Sequence, residues 1–286
     1  MPTTPKRPSR LGGQAVIEGV MVRADDRWAL AVRRADGSVA CERAPVPPWA
    51  LAGRRVPVVR GVVALVTTVA LGIRALGRSR AVFEGDQVER PVGRAQMLLA
   101  TTVSLAFFVV LFALGPAALA RAVAGHGAAF GIVEATVRLV LFVGYIVAIG
   151  RVPGVRRTFE YHGAEHQAIA AFEAGAPLEL DAVRRFSPRH ARCGTDFLVL
   201  VGLVSVVAFV AVSPEGWLPL VASRVVLLPA VAGVAYELLR LSDRPAARRW
   251  LRPLLAPGLA VQRLTTRPPS DDQVEVAIAA VRTAVS

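Results

Sequence analysis

Lysine is almost missing from this chain. Lys6 is the only one among 34 basic residues, so a formal charge of +13 rests almost wholly on arginine. We read that skew as base composition rather than function. Aromatic residues are scarce too, at 6%, and the arginines are scattered instead of running together. Both facts weigh against nucleic-acid binding, the rival reading of a pI near 11.4. Cys41 and Cys193 make no disulfide framework and suit a reducing compartment. The start, MPTTPKRPSRLGG, is basic but has no apolar run, so no cleaved signal peptide is expected. Internal repeats and low-complexity blocks are absent.

Apolar residues are what the chain has in plenty, 54% of it, with a mean hydropathy of +0.49. Apolar bulk with arginine at its flanks describes a membrane protein. Four segments approach the ~20 residues needed to cross a bilayer: roughly 97–120, 131–150, 197–213 and 218–240. A fifth apolar stretch, 57–77, differs, because Arg60 and Arg74 bracket too short an uncharged run. It reads as an interfacial or half-buried helix.

Arginine placement orients the spans. The connections 78–96, 151–196 and 240–267 are arginine-rich, whereas 121–130 carries only Arg121 and 214–217 carries none. The positive-inside rule puts the first three in the cytoplasm. The expected fold is therefore mainly α: a multi-pass inner-membrane protein, in contact with lipid, with about four transmembrane helices and both termini cytoplasmic. Residues 1–56 form a small β-rich cytoplasmic region, with QAVIEGVMV and RWALAVRR as β-prone runs. Asp36-Gly37 signals a hairpin, and Pro45, Pro47 and Pro48 end the sheet. The remaining units are the interfacial helix 57–77, a helix pair 97–150, a loop 151–196, a second pair 197–240 and a cytoplasmic region 241–286. In the last, RPAARRWLRPLLAPGL is expected on the membrane surface, and a terminal helix starts at Ser270 with Gln273 placed for a capping box.

Histidine is the second scarcity, and it points to a site. The chain has four, and two of them stand in YHGAEHQAIAAFEAG as His162 and His166, beside Glu165. On a helix, with ~100° per residue, the three share one face. Paired imidazoles at i and i+4 can hold a divalent metal, and the order H-x-x-E-H is that of the inverzincins. A helix over 158–175 is expected, with Gly175 at its C′ position and Gly163 as a point of close backbone approach. Zinc sites take three or four protein ligands. The next candidates are His190 and Cys193 in SPRHARCGTDF, on the same side of the membrane. Glu237 and Glu18 are further carboxylates that could reach the site. The bland alternative is a set of helix-end and loop residues bonded to backbone or headgroups. Glu134, Arg138 and Arg224 lie within spans, where pairing across helices is the favoured reading. His126 reads as an ordinary loop residue.

Four stretches, GGQAVIEGVMVR, YHGAEHQAI, RHARCGTDFL and PGLAVQRLTTRPPSDDQVEVAIAA, resemble hallmark segments of the YqhQ-like family of bacterial membrane proteins. The resemblance runs from Gly12 to about Ala280. That family is a domain of unknown function described as a predicted metal-dependent enzyme, so it implies a fold group and a membrane location but no established reaction. Its ligand motif falls here on His162, Glu165 and His166. Its second motif falls on His190, Arg192, Cys193, Gly194 and Thr195. Gln167, Ala191, Asp196 and Val22 depart from the common residues and remove no candidate ligand.

The leading functional expectation is a metal-dependent membrane enzyme with its site at the cytoplasmic face. Hydrolysis is the most economical reaction. His162 and His166 would hold the metal, His190 or Cys193 would supply a third ligand, and Glu165 would act as general base, with a role as ligand the alternative for it. Zinc suits this donor set best, with iron and manganese open. A non-catalytic, metal-stabilised scaffold or partner-binding subunit is the rival class, and a transporter the third.

Overall fold

The computed structural model describes residues 11–52, 56–85, 93–125, 127–189, 193–212, 214–242 and 244–286. The chain is mainly helical with one N-terminal antiparallel sheet. The strands β1 (Leu11–Val16), β2 (Gly19–Ala24), β3 (Arg27–Arg33) and β4 (Val39–Pro45) form a meander in the order β1-β2-β3-β4. The run QAVIEGVMV is thus two strands rather than one. The chain turns at Ile17 and Glu18, and Glu18 takes a φ of 49°. No glycine or asparagine marks that left-handed position, so composition gave no sign of the turn. The hairpin at Asp36 and Gly37 does occur, and Asp36 Oδ1 accepts from the Ser38 N–H at 2.9 Å.

The helices follow as α1 (Trp49–Ala52), α2 (Val59–Phe83), α3 (Arg94–Val109), α4 (Gly115–Ala124), α5 (Ala128–Ile149), α6 (Pro153–Glu173), α7 (Leu180–Val183), α8 (Gly194–Ala211), α9 (Trp217–Leu241), α10 (Pro245–Thr265) and α11 (Asp271–Val285). A π-helical turn, Val110–Leu114, joins α3 to α4. Pro116 explains it, since it has no N–H to give the carbonyl four residues back. That carbonyl, on Phe112, accepts from Arg138 Nε of α5 at 2.8 Å.

Both faces of the sheet are covered, which is why β2 and β3 are apolar throughout instead of alternating. Val20, Val22, Ala24, Ala29 and Ala31 pack with Tyr161, Ala164 and Ala168 of α6 and Val274, Ala277 and Val281 of α11. The opposite face, with Val16, Met21, Leu30 and Val32, packs with Leu71, Ala75 and Val82 of α2. Segments from three distant parts of the chain thus form one body. Helix α6 ends in a Schellman motif at Gly175, whose φ is 71°. There the Ala176 N–H donates to Ala171 O at 2.9 Å and the Gly175 N–H to Phe172 O at 3.0 Å. At the start of α11, the Ser270 N–H donates to Gln273 Oε1 at 3.0 Å.

Among the described residues, five helical stretches are long and apolar enough to cross a membrane: Val59–Phe83, Leu98–Ala124, Ala129–Ile149, Gly194–Ala211 and Trp217–Leu241. The first overlaps the stretch assigned from sequence to a half-buried helix, and it runs on to Phe83. Many large apolar side chains stay exposed, including Leu98, Leu99, Val103 and Phe107 of α3. Such breadth of apolar surface fits lipid contact. Helix α10 crosses the first turns of α8, with Leu255 on Leu200 and Val261 near Val199.

The charges within the long apolar helices pair across them. Glu134 of α5 accepts from Arg138 Nη2 at 2.5 Å and from Arg224 Nη2 of α9 at 2.9 Å. Arg138 also donates to Ser205 Oγ of α8, and both guanidinium groups stack on Phe209. Glu237 sits elsewhere, bound by the Arg60 guanidinium and by the Val58 N–H at 3.2 Å.

Candidate metal centre

Helix α6 carries the centre of the site. With ~3.6 residues per turn, His162, Glu165 and His166 leave one face of α6 together, and their rings and carboxylate converge. The His162 and His166 ring centroids lie 4.4 Å apart. Glu165 Oε2 is 3.9 Å from His162 Nε2 and 3.7 Å from His166 Nε2. Cys193, the residue before α8, brings its Sγ to 3.2 Å from His162 Nε2. The three candidate ligand atoms of His162, His166 and Cys193 all lie within 4.8 Å of one another.

Outer contacts fix the direction of each ligand. His162 Nδ1 bonds to the Thr265 carbonyl at 2.9 Å, and His166 Nδ1 bonds to the Pro188 carbonyl at 2.7 Å. A carbonyl only accepts, so each Nδ1 carries the proton. Each Nε2 is turned into the site, where that of His162 meets Cys193 Sγ at 3.2 Å, and a backbone carbonyl on Nδ1 is the arrangement seen for metal-bound histidines. Cys193 accepts from the Thr195 N–H at 3.3 Å, at the N-terminus of α8. An N–H donor and a helix N-terminus both favour thiolate.

Two glycines allow the packing. A Cβ on Gly13 of β1 would lie 2.1 Å from Glu165 Oε1. One on Gly163 would lie 2.1 Å from the Arg267 carbonyl oxygen, so α6 and the chain leading to α11 touch backbone to backbone there. The latter is the close approach that the glycine inside the helix pattern suggested. The site opens into a small cavity of about 30 Å³. Leu11, Gly12 and Gly13 line it from β1, His162, Glu165, His166 and Ile169 from α6, and Cys193 with Gly194 from the start of α8.

Burial sets the electrostatics. It pushes the Glu165 carboxyl up to about 8, with His162 pulling it down and Cys193 adding to the rise. It pushes the Cys193 thiol up to about 11 against the lowering bonds from Thr195. Two acids are thus buried beside two imidazoles, and among the described residues lining the cavity there is no lysine or arginine. A cation is the partner this donor set fits. Zinc bonds of ~2.0–2.3 Å set tetrahedral ligand atoms ~3.5 Å apart, and the three candidate atoms, with one pair at 3.2 Å and all within 4.8 Å, stand near that spacing.

Other sequence candidates fall away from this cluster. Glu18 pairs with the Arg157 guanidinium and accepts from Tyr161 Oη at 3.2 Å, toward the N-terminal end of α6. Glu237 is held by Arg60 at the far end of α9. Neither joins the His162, His166 and Cys193 group. His190 and His126 lie outside the described residues. Gly13 and the carbonyls of Pro188 and Thr265 were missed from sequence. They offer no titratable side chain, so a search for ligand types cannot find them.

A helical chain with several membrane-length helices, joined to a sheet-and-helix body that carries a His/His/Cys cluster, is the class these features define. The chain belongs to the family described as protein of unknown function (DUF1385), whose model matches residues 56–286. It is similar to the uncharacterized protein YqhQ of Bacillus subtilis (strain 168), 33% identical over 291 residues covering 96% of this chain and 91% of that protein. No solved structure matches it.

Proposed function

We propose that this protein is a metal-dependent membrane hydrolase whose site lies at the cytoplasmic face of the inner membrane. The observation that carries the reading is the pair of Nδ1 bonds, from His162 to Thr265 O and from His166 to Pro188 O. They leave both Nε2 atoms facing Cys193 Sγ and the buried Glu165 carboxylate. His162, His166 and Cys193 would hold the metal, with zinc favoured by two imidazoles and a thiolate. A bound divalent ion would supply Lewis-acid polarisation of the substrate and activation of water. Glu165 would be the proton acceptor, ionised where the charge of a bound cation offsets the burial that raises its carboxyl. It takes the proton that leaves the attacking water and returns it to the departing group as the bond to that group breaks. The Gly13 backbone pins Glu165 in place, and burial of the cluster keeps bulk water from competing.

Packing supports the membrane placement. The second half of α2 lies on the sheet, and the other face of the same sheet lies on α6 and α11. That arrangement supports α2 as a helix at the membrane surface and four crossings by α3–α4, α5, α8 and α9. Trp250 of α10, exposed and flanked by Arg249 and Arg252, suits the cytoplasmic headgroup layer.

Metal analysis of the detergent-purified protein tests the reading. About one transition-metal ion per chain is expected, lost when His162 and His166 are both changed to alanine. Purified protein that retains no metal after reconstitution with zinc, iron or manganese would overturn it.

A further inference from the structure

The strand beside the site is an edge. Among the described residues β1 pairs with β2 alone, whereas β2 and β3 are interior. The two-residue turn at Ile17 and Glu18 makes Val16 and Gly19 the closing hydrogen-bonded pair of the hairpin. Along an antiparallel ladder, bonded and non-bonded pairs alternate. Gln14 and Gly12 therefore direct their backbone groups to β2, and Ala15, Gly13 and Leu11 direct theirs away from it. Among the described residues, no backbone bond reaches those outward groups from another segment. Open edges of this kind are normally blunted by proline, lysine or a bulge. β1 has none of these, and it has two consecutive glycines, of which Gly12 is exposed with open space at its Cβ position. The same three residues, Leu11 to Gly13, line the cavity that holds His162, Glu165, His166 and Cys193.

We infer that the substrate of this site is an extended polypeptide segment, added as a fifth strand along the outer edge of β1. The inference rests on the hydrolase reading above and names its substrate class. Only an extended backbone offers N–H and C=O groups at the two-residue repeat of Leu11, Gly13 and Ala15. Bonding to Gly13 would hold a peptide carbonyl at the mouth of the cavity beside Glu165. The glycines leave room on the strand for a chain of varied side chains to lie flat. Hydrolysis then adds water across one amide bond. The oxygen goes to the carbonyl carbon, the C–N bond breaks, and the proton taken by Glu165 passes to the leaving nitrogen, giving a carboxylic acid and an amine.

The test uses the full chain in nanodiscs, loaded with zinc, and two probes. One is a pool of N-acetyl hexapeptide hydroxamates with randomised side chains. The other is acetohydroxamate, which has the metal-binding group but no peptide backbone. Hydrogen–deuterium exchange should show the amides of Gly13 and Ala15 slowed at least tenfold by the peptide pool and unchanged by acetohydroxamate. The amides of Gly12 and Gln14, already bonded to β2, should change little. Ala15→Pro removes an outward N–H without touching the ladder. It should weaken retention of the pool at least tenfold while acetohydroxamate binds as before. Peptide hydroxamates that bind with no protection of Gly13 or Ala15 would overturn the edge assignment and leave the hydrolase reading standing. Failure of the protein to hold zinc would overturn both. Protection that exists before any probe is added, and vanishes when residues 2–9 are deleted, would assign the edge to the chain's own N-terminal segment and also defeat the inference.

Discussion

Gly13 and Glu165 meet with no room for a methyl group between them. A Cβ on Gly13 would stand 2.1 Å from Glu165 Oε1. The contact ties the first strand to the reactive face of α6, and its consequences separate side-chain crowding from backbone crowding. Gly13→Ala should destabilise the protein by about 1–3 kcal/mol, the usual range for overpacking. Adding Glu165→Ala should relieve most of that, because the obstructing atoms belong to one side chain. Gly163→Ala should show no such relief. The atom it meets is the Arg267 carbonyl oxygen, which is backbone. Thermal unfolding of the four variants in detergent reads the difference. A Gly13→Ala protein with unchanged stability and unchanged metal content would contradict the packing.

The cluster itself predicts linked metal and stability losses. Metal binding to the folded state is folding free energy when the unfolded chain has no site. A chelator should lower the melting temperature of the native protein. His162→Ala with His166→Ala should lower it to the same level and make it insensitive to chelator. Metal content by mass spectrometry accompanies the melts. A double variant that keeps its metal would remove the cluster from consideration.

Much of this site was legible in the sequence, and the reason is chemical. His162, Glu165 and His166 could be put on one face because helix periodicity is regular, and Cys193 stood out because cysteine is scarce. Glu18 drew attention for the same reason, being the one carboxylate among apolar strand residues. The structure gives it to Arg157 and Tyr161 instead, and the same stretch of chain reaches the site through Gly13. Which neighbour a carboxylate meets depends on strand register, and that register hung on a turn with no glycine to announce it. The membrane-length helices were legible from composition alone. That the sheet lies between α2 on one face and α6 with α11 on the other was not, since it joins segments more than a hundred residues apart.

Glu165→Gln divides the catalytic from the structural role. The amide keeps the size of the side chain and its place against Gly13 but cannot accept the proton. With a proton-transfer role, metal content and melting temperature should hold while function falls by about 10²–10⁴-fold. Cellular complementation supplies the functional readout. If the site is a structural one with Glu165 as a ligand, metal affinity or melting temperature should fall instead. Full complementation with normal metal and normal stability would exclude a catalytic role for Glu165.

The ion pair inside the helical bundle makes a separate prediction. Arg224 is buried, and Glu134 is the carboxylate that binds it, at 2.9 Å. Removing one member of a buried pair strands the other. Glu134→Ala should therefore cost about 3–5 kcal/mol. Glu134→Leu combined with Arg224→Met should cost less than that single change, because only Arg138, and not Arg224 as well, is then left without its carboxylate. Equal losses in the two proteins, measured by unfolding in detergent, would mean that the pair matters for something other than charge balance.

The last prediction concerns α2, whose length and composition match a membrane crossing while its packing argues against one. Suppose that α2, the rod formed by α3 and α4, and α5 all crossed. Three crossings would carry α6 to the side opposite the sheet. Yet α6 packs on that sheet through Tyr161, Ala164 and Ala168, and the second half of α2 packs on its other face through Leu71, Ala75 and Val82. An even number of crossings is the solution that keeps the body whole, and α2 is the helix already engaged by the sheet. Cys41 is exposed on β4, and Cys193 is buried, so Cys41 is a built-in reporter for the side on which the sheet lies. Single cysteines placed at Glu84, just past α2, and at Glu173, at the end of α6, should be labelled by a membrane-impermeant maleimide from the same side as Cys41, the cytoplasmic side. A cysteine at Glu215, between α8 and α9, should be labelled from the other. The engineered sites are compared in a Cys41→Ser background. Labelling at Glu84 from outside the cell, with Cys41 in the native protein labelled only from within, would make α2 a true crossing and break the arrangement of sheet and helices described here.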